Sequence, residues 1–151
     1  MRISSEWTFH SEDVAAGFDA HVREQLPWYS LMTSAIVHFG RHYIPISGGR
    51  IYDLGASTGN IGRALADVIA ARMAEFIPID NSREMASYYD GPGRIRVENI
   101  EDFSFNPFDF AVLFLCLMFV RPRKRPQLMA RLMQSLRIGG AIIIVDKICP
   151  H

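Results

Sequence analysis

The spacing of apolar and polar positions changes several times along the 151 residues. Residues 11–26 place Val14, Ala15, Phe18, Val22 and Leu26 at helical intervals, with Ser11, Glu12 and Asp13 as a start signal and Pro27 as a stop. Trp28-Tyr29-Ser30 opens a second helical stretch to about Tyr43, with Leu31, Ile36, Val37 and Phe39 on one side. After the loop 45–49 the pattern turns to short apolar runs at 50–54, 75–79, 108–115 and 141–145, each the length of a buried strand, and an alternating run at 94–98. Helical segments separate them near 60–72, 82–89 and 126–136, the last with Gly139-Gly140 as its expected stop. Strands alternating with helices predict a doubly wound, mainly parallel, Rossmann-like α/β sheet in the order 3-2-1-4-5. Ligand is then expected at the carboxyl ends of the strands.

Composition narrows the picture. The length suits a single domain over 1–151, with residues 1–45 as a helical cap and 46–151 as the core, and a hydrophobic content of 49% supports that core. The formal net charge of zero gives no general pull toward nucleic acid or membrane. The longest apolar run, 110–120, is about half of what a spanning helix needs, and the first residues lack a signal-peptide core. Cys116 and Cys149 read as unpaired thiols of a reducing, cytoplasmic setting. His38 and His42 stand four apart without a third ligand, so no metal is expected. Met118, Met129 and Met133 read as core fillers.

The chemistry sits at Ile51-Tyr52-Asp53-Leu54-Gly55-Ala56-Ser57-Thr58-Gly59-Asn60. A strand that passes through glycines into a helix cradles a nucleotide cofactor, because glycine lets the backbone approach the ligand. Asp53 beside the turn is a poor neighbour for a pyrophosphate and a good one for a cationic or zwitterionic group. It either contacts the ligand, the favoured reading, or caps the turn. One strand later, Asp80 can accept hydrogen bonds from both hydroxyls of a ribose. The two carboxylates together suit S-adenosylmethionine better than a dinucleotide. Cys116 has no base beside it in sequence and reads as a buried thiol rather than a nucleophile, and Asp102 as a turn or cap. No catalytic base stands out.

The order of these residues resembles class I S-adenosylmethionine-dependent methyltransferases, and among them the carboxy-S-adenosylmethionine synthase branch. Leu26-Pro27-Trp28-Tyr29-Ser30, the glycine turn, Ile79-Asp80-Asn81-Ser82 with Met85, and Gly139-Gly140-Ala141 carry the resemblance. It implies that Gly55, Ala56 and Ser57 line the methionine end of the cofactor and that Asp80 holds the ribose. It also places Asn81 at the adenosine edge, Asn99 and Ile100 at the adenine, and Tyr29 over the site. The chain departs from that branch at Phe114, where an asparagine is usual, and at Asn99, where an aspartate is usual. The resemblance further implies a truncation after the fifth strand, without the substrate segment, its carboxylate-binding arginine and the terminal strand pair. The expected activity is methyl transfer; the alternative is a non-catalytic module of the same fold acting through a protein partner.

Two features bear on partners. Arg121, Arg123, Lys124 and Arg125 precede a helix whose first turn favours anions, so an anionic or RNA partner is one reading and a solvated loop the other. The apolar, β-branched run 141–145 predicts an open sheet edge that recruits a homodimer or a partner protein along 141–148, unless residues 1–10 fold back as its cover.

Overall fold

The computed structural model describes residues 12–147. Ser11, Cys149, residue 148 and the segment 1–10 with Ile3, Trp7 and Phe9 lie outside the described residues. Helices α1 (Glu12–Gln25) and α2 (Tyr29–Tyr43) come first, followed by β1 (Arg50–Leu54), α3 (Asn60–Arg72), β2 (Glu75–Asp80), α4 (Arg83–Ser87) and β3 (Arg96–Val97). Then come β4 (Phe108–Phe114), α5 (Arg125–Ser135) and β5 (Leu136–Val145). The five strands form one sheet in the order β3-β2-β1-β4-β5, and every pairing is parallel. The expected topology is therefore present, in an all-parallel form.

Parallel strands covered on both faces must be apolar on both faces. In β4, Phe108 to Phe114 is buried throughout. One face packs Ile51, Phe110 and Val112 against Ile36 of α2 and Leu65 of α3. The other packs Tyr52, Leu54, Ile79 and Leu113 against Leu128 and Leu132 of α5. Asp109 binds the sheet together at its amino end: its Oδ2 accepts from Arg50 N at 2.8 Å and from Arg137 Nη1 at 2.7 Å.

Several expectations are corrected. Gly139-Gly140 does not stop the last helix; α5 ends at Ser135, and Leu136 already pairs with Phe108. The register then slips between Phe108 and Phe110, which face Leu136 and Ala141 respectively. Gly139, at φ 86, lies in this irregular stretch, and a Cβ on Gly140 would fall 2.5 Å from the Asp109 carbonyl oxygen. The glycines thus let β5 bulge and rejoin β4. On α2, Ile36 is buried, but Leu31 and Phe39 stay exposed at 65% and 47%. Met133 is also exposed, because Leu128 and Leu132 occupy the buried stripe of α5. Strand β5 forms an open edge among the described residues, with β4 as its neighbour on one side.

Candidate functional site

At the carboxyl ends of β1, β2 and β4 the structure opens a cavity. All the residues assigned to a site from sequence line it: Tyr29, Asp53, Gly55, Ala56, Ser57, Asp80, Asn81, Asn99 and Ile100. The turn after β1 shapes its floor. Gly55 N and Ala56 N donate to the Ile79 carbonyl at 2.8 and 2.9 Å, folding the turn back onto β2. Gly55 has φ 77, and a Cβ there would stand 2.7 Å from Cys116 Sγ, so this position accepts only glycine without movement. Ser57 also takes a positive φ, 52, and its backbone N–H donates to Asp80 Oδ2 at 2.9 Å. Asp80 Oδ1 accepts from Ser82 N at 2.9 Å, so one carboxylate ties the turn to the start of α4.

Asp53 is the unusual group. It is 1% exposed, and its Oδ2 has no hydrogen-bond partner. Burial, and then the nearby charge of Asp80, push its carboxyl up to about 8. Ser57 Oγ is likewise buried and unpartnered. A buried polar atom left without a partner costs about 1–3 kcal/mol, so two at one turn mark a place shaped for something else. The same burial, with Asp80 and Asp53 beside it, raises the Cys116 thiol, which argues against a thiolate nucleophile.

An aromatic wall faces the turn on the β4 side. Tyr29 stacks on Phe114 with ring centres 4.8 Å apart and planes at 28°, and the Arg23 guanidinium lies 5.3 Å from the Tyr29 ring centre. Burial raises the Tyr29 phenol, with the Asp19 charge as the next cause. Phe18 from α1 and Phe119 from the 3-10 turn Leu117–Phe119 complete this wall. Sequence reasoning missed both, because neither carries a local signal and only the fold brings them to β1. It also missed a latch. Asp19 accepts from Thr58 Oγ1 at 2.6 Å and from Arg63 Nη2 at 2.7 Å, while Arg23 Nη2 donates to Asn60 Oδ1 at 3.0 Å. Helix α1 is thereby fastened to the glycine turn.

At the far end, Asn99 forms a turn, accepting from Glu101 N at 2.9 Å through Oδ1 and from Asp102 N at 3.2 Å through its carbonyl. Glu101, 7% exposed, receives Arg121 N at 3.0 Å and Arg121 Nε at 2.7 Å, and these hydrogen bonds hold its carboxyl below the usual range. The basic run is thus partly used within the chain. Arg121 pairs with Glu101 and Lys124 lies 3.8 Å from Asp102, while Arg125 donates to the Val120 and Met118 carbonyls. Asp102 is accordingly a turn residue with a cation beside it. Among the described residues no cluster could hold a metal ion, and no helix is long and apolar enough to cross a membrane.

A family model described as a methyltransferase domain matches residues 52–144, from the third residue of β1 to near the end of β5. The chain belongs to this methyltransferase domain family. The domain is 30% identical over 148 residues to a carboxy-S-adenosyl-L-methionine synthase of Staphylococcus epidermidis, covering 95% of this chain and 64% of that protein. It is 32% identical over 145 residues to the Wolinella succinogenes protein of the same name, covering 91% and 60%. The chain thus spans less than two thirds of the length of these relatives. Among solved structures, the plantazolicin methyltransferase BpumL in complex with SAH superposes with a TM-score of 0.68 at 17% identity, covering 91% of this chain and 55% of that one. DesVI of Streptomyces venezuelae superposes with a TM-score of 0.67 at 15% identity, covering 88% and 57%. At such identities these structures establish the shared fold.

Proposed function

We propose that this methyltransferase domain binds S-adenosylmethionine in the cavity above β1 and β2 and acts in methyl transfer. The observation that carries this is the pair of buried, unpartnered atoms at the glycine turn, Asp53 Oδ2 and Ser57 Oγ. One is an acceptor suited to an ammonium, and the other is a hydroxyl able to donate to a carboxylate. Together they complement an amino-acid zwitterion. Asp80 lies on the β2 side, where an acidic side chain suits ribose hydroxyls, and Asn81 lies beside it. Asn99 and Ile100 would flank the base. Tyr29 and Phe114 would face the sulfonium, a cation that aromatic faces attract.

When bound, S-adenosylmethionine supplies an electrophilic methyl group: the acceptor's lone pair forms the new bond as the carbon–sulfur bond breaks and its electrons pass to sulfur. The residues of the chain orient and exclude water. The glycine turn and Asp80 fix the position of the ligand, and Phe18, Tyr29 and Phe114 dry the space above it. The protonated Asp53 must lose its proton to receive an ammonium, so the site exchanges one buried proton for one buried ion pair. No described side chain stands out as a base, which suits an acceptor already nucleophilic at neutral pH. A cytoplasmic setting is proposed on the free thiol of Cys116. The test is transfer of labelled methyl from S-adenosylmethionine to fractionated RNA and small-molecule pools. Transfer lost in Asp80→Ala supports methyl transfer, and binding of the cofactor without transfer to any pool counts against it.

A further inference from the structure

The groups around the cavity also bear on which sulfonium it takes. Strand β1 runs beside β4 with Leu54 opposite Leu113, so Phe114, Leu115 and Cys116 flank the glycine turn on the side away from Asp80. A ligand whose amino-acid end meets Asp53 and Ser57, and whose ribose meets Asp80, turns the remaining substituent of its sulfur toward that β4 side. There it meets Phe114, Tyr29 and Phe119. The charged side chains that line the cavity, among the described residues, are all acidic: Asp53, Asp80, Glu98 and Glu101. Three cations close to its walls are committed elsewhere, Arg63 to Asp19 among them. Arg23 lies against the Tyr29 ring with its N–H groups on Ser30 Oγ and Asn60 Oδ1, and Arg121 is bonded to Glu101.

We propose that this site admits a sulfonium bearing an uncharged methyl group and rejects one bearing a carboxymethyl group, the form for which its relatives are named. This rests on the reading of the cavity as an S-adenosylmethionine site. A methyl on a sulfonium is small, apolar and positively polarised, and it meets aromatic carbon without loss. A carboxylate in the same place gives up its hydration against Phe114 and the Tyr29 ring, meets no cationic side chain among the lining residues, and adds a negative charge to a rim that already holds Asp80 and Glu98. An unpaired buried charge is the costly case. The expected discrimination is on the order of 100-fold in Kd.

The check is calorimetric titration of the intact chain with S-adenosylmethionine, S-adenosylhomocysteine and carboxy-S-adenosylmethionine. The proposal expects carboxy-S-adenosylmethionine to bind at least 30-fold more weakly than S-adenosylmethionine. It further expects Phe114→Arg, which puts a guanidinium into the wall, to narrow that gap about tenfold. Should Phe114→Arg fail to fold, Phe119→Arg offers the same charge from a residue 59% exposed. Equal or tighter binding of the carboxylated form by the wild type overturns the proposal while leaving the cofactor assignment intact. A gap that neither arginine narrows overturns the wall as its cause. Failure of S-adenosylmethionine itself to bind removes both this proposal and the reading beneath it.

Discussion

Replacing Asp53 with asparagine should make the free protein more stable at neutral pH and a poorer ligand binder. The carboxyl ordinarily titrates near 3.8 and is pushed to about 8 by burial, with the Asp80 charge adding to it. Below about pH 4 the folded and unfolded chains both carry the proton and Asp53 imposes no penalty. As pH rises past 3.8 the unfolded chain ionises and the folded one does not, so stability falls by about 1.4 kcal/mol per pH unit until about pH 8, where it levels off. The ceiling of the penalty is then about 2 kcal/mol at pH 5 and about 4 kcal/mol at pH 7. Asparagine is nearly isosteric, carries no charge, and offers an N–H to the neighbouring Asp80. Urea unfolding of wild type and Asp53→Asn between pH 5 and 8.5 should show curves that diverge with rising pH, the variant gaining stability. Parallel curves would refute the idea that a strained carboxyl is kept for a ligand, as would a variant less stable than wild type at pH 7.

Other expectations follow from the same geometry. Asp80→Ala removes the acceptor shared by Ser57 N and Ser82 N, and should weaken S-adenosylmethionine binding by about 2–4 kcal/mol in calorimetry. Gly55→Ala should lower stability by about 1–3 kcal/mol, read as a fall in Tm. Adding Cys116→Ala should recover only the part of that loss due to Sγ, because Cys116 Cβ would still stand 2.9 Å from the new methyl and the positive φ remains. A second copy pairing along β5 would make the chain a dimer in light scattering. Ile144→Lys should return it to monomer with unchanged circular dichroism, because Ile144 is 41% exposed whereas Ile143 packs on the core. A wild-type monomer at high concentration would count against that pairing.

Much of the fold was legible because its signals are local. The run 50–54, the glycine turn and the helix to Arg72 follow one another without interruption, and each has the length and composition of its element. What failed depended on neighbours far away in sequence. Gly139-Gly140 looks like a helix stop until β4 is in place, when the same glycines serve a bulge against Asp109. Leu31 and Phe39 fit a helical stripe, but the sheet lies under Ile36 and Gly40 instead. For the site, Asp53, Asp80 and the turn were readable as chemistry in a sensible order. The wall of Phe18 and Phe119 and the Asp19–Thr58–Arg63 latch were not, since each joins segments at least 39 residues apart or spans loops with no pattern of their own. The unpartnered oxygens of Asp53 and Ser57 could be seen only once the packing around them was known.

The most direct test is calorimetric titration of the 151-residue chain with S-adenosylmethionine at pH 7, repeated in buffers of different ionisation enthalpy. The account predicts one site per chain, binding lost or severely weakened in Asp80→Ala, and release of about one proton on binding that disappears in Asp53→Asn. Absence of binding at millimolar ligand would contradict it, and so would binding that neither substitution alters.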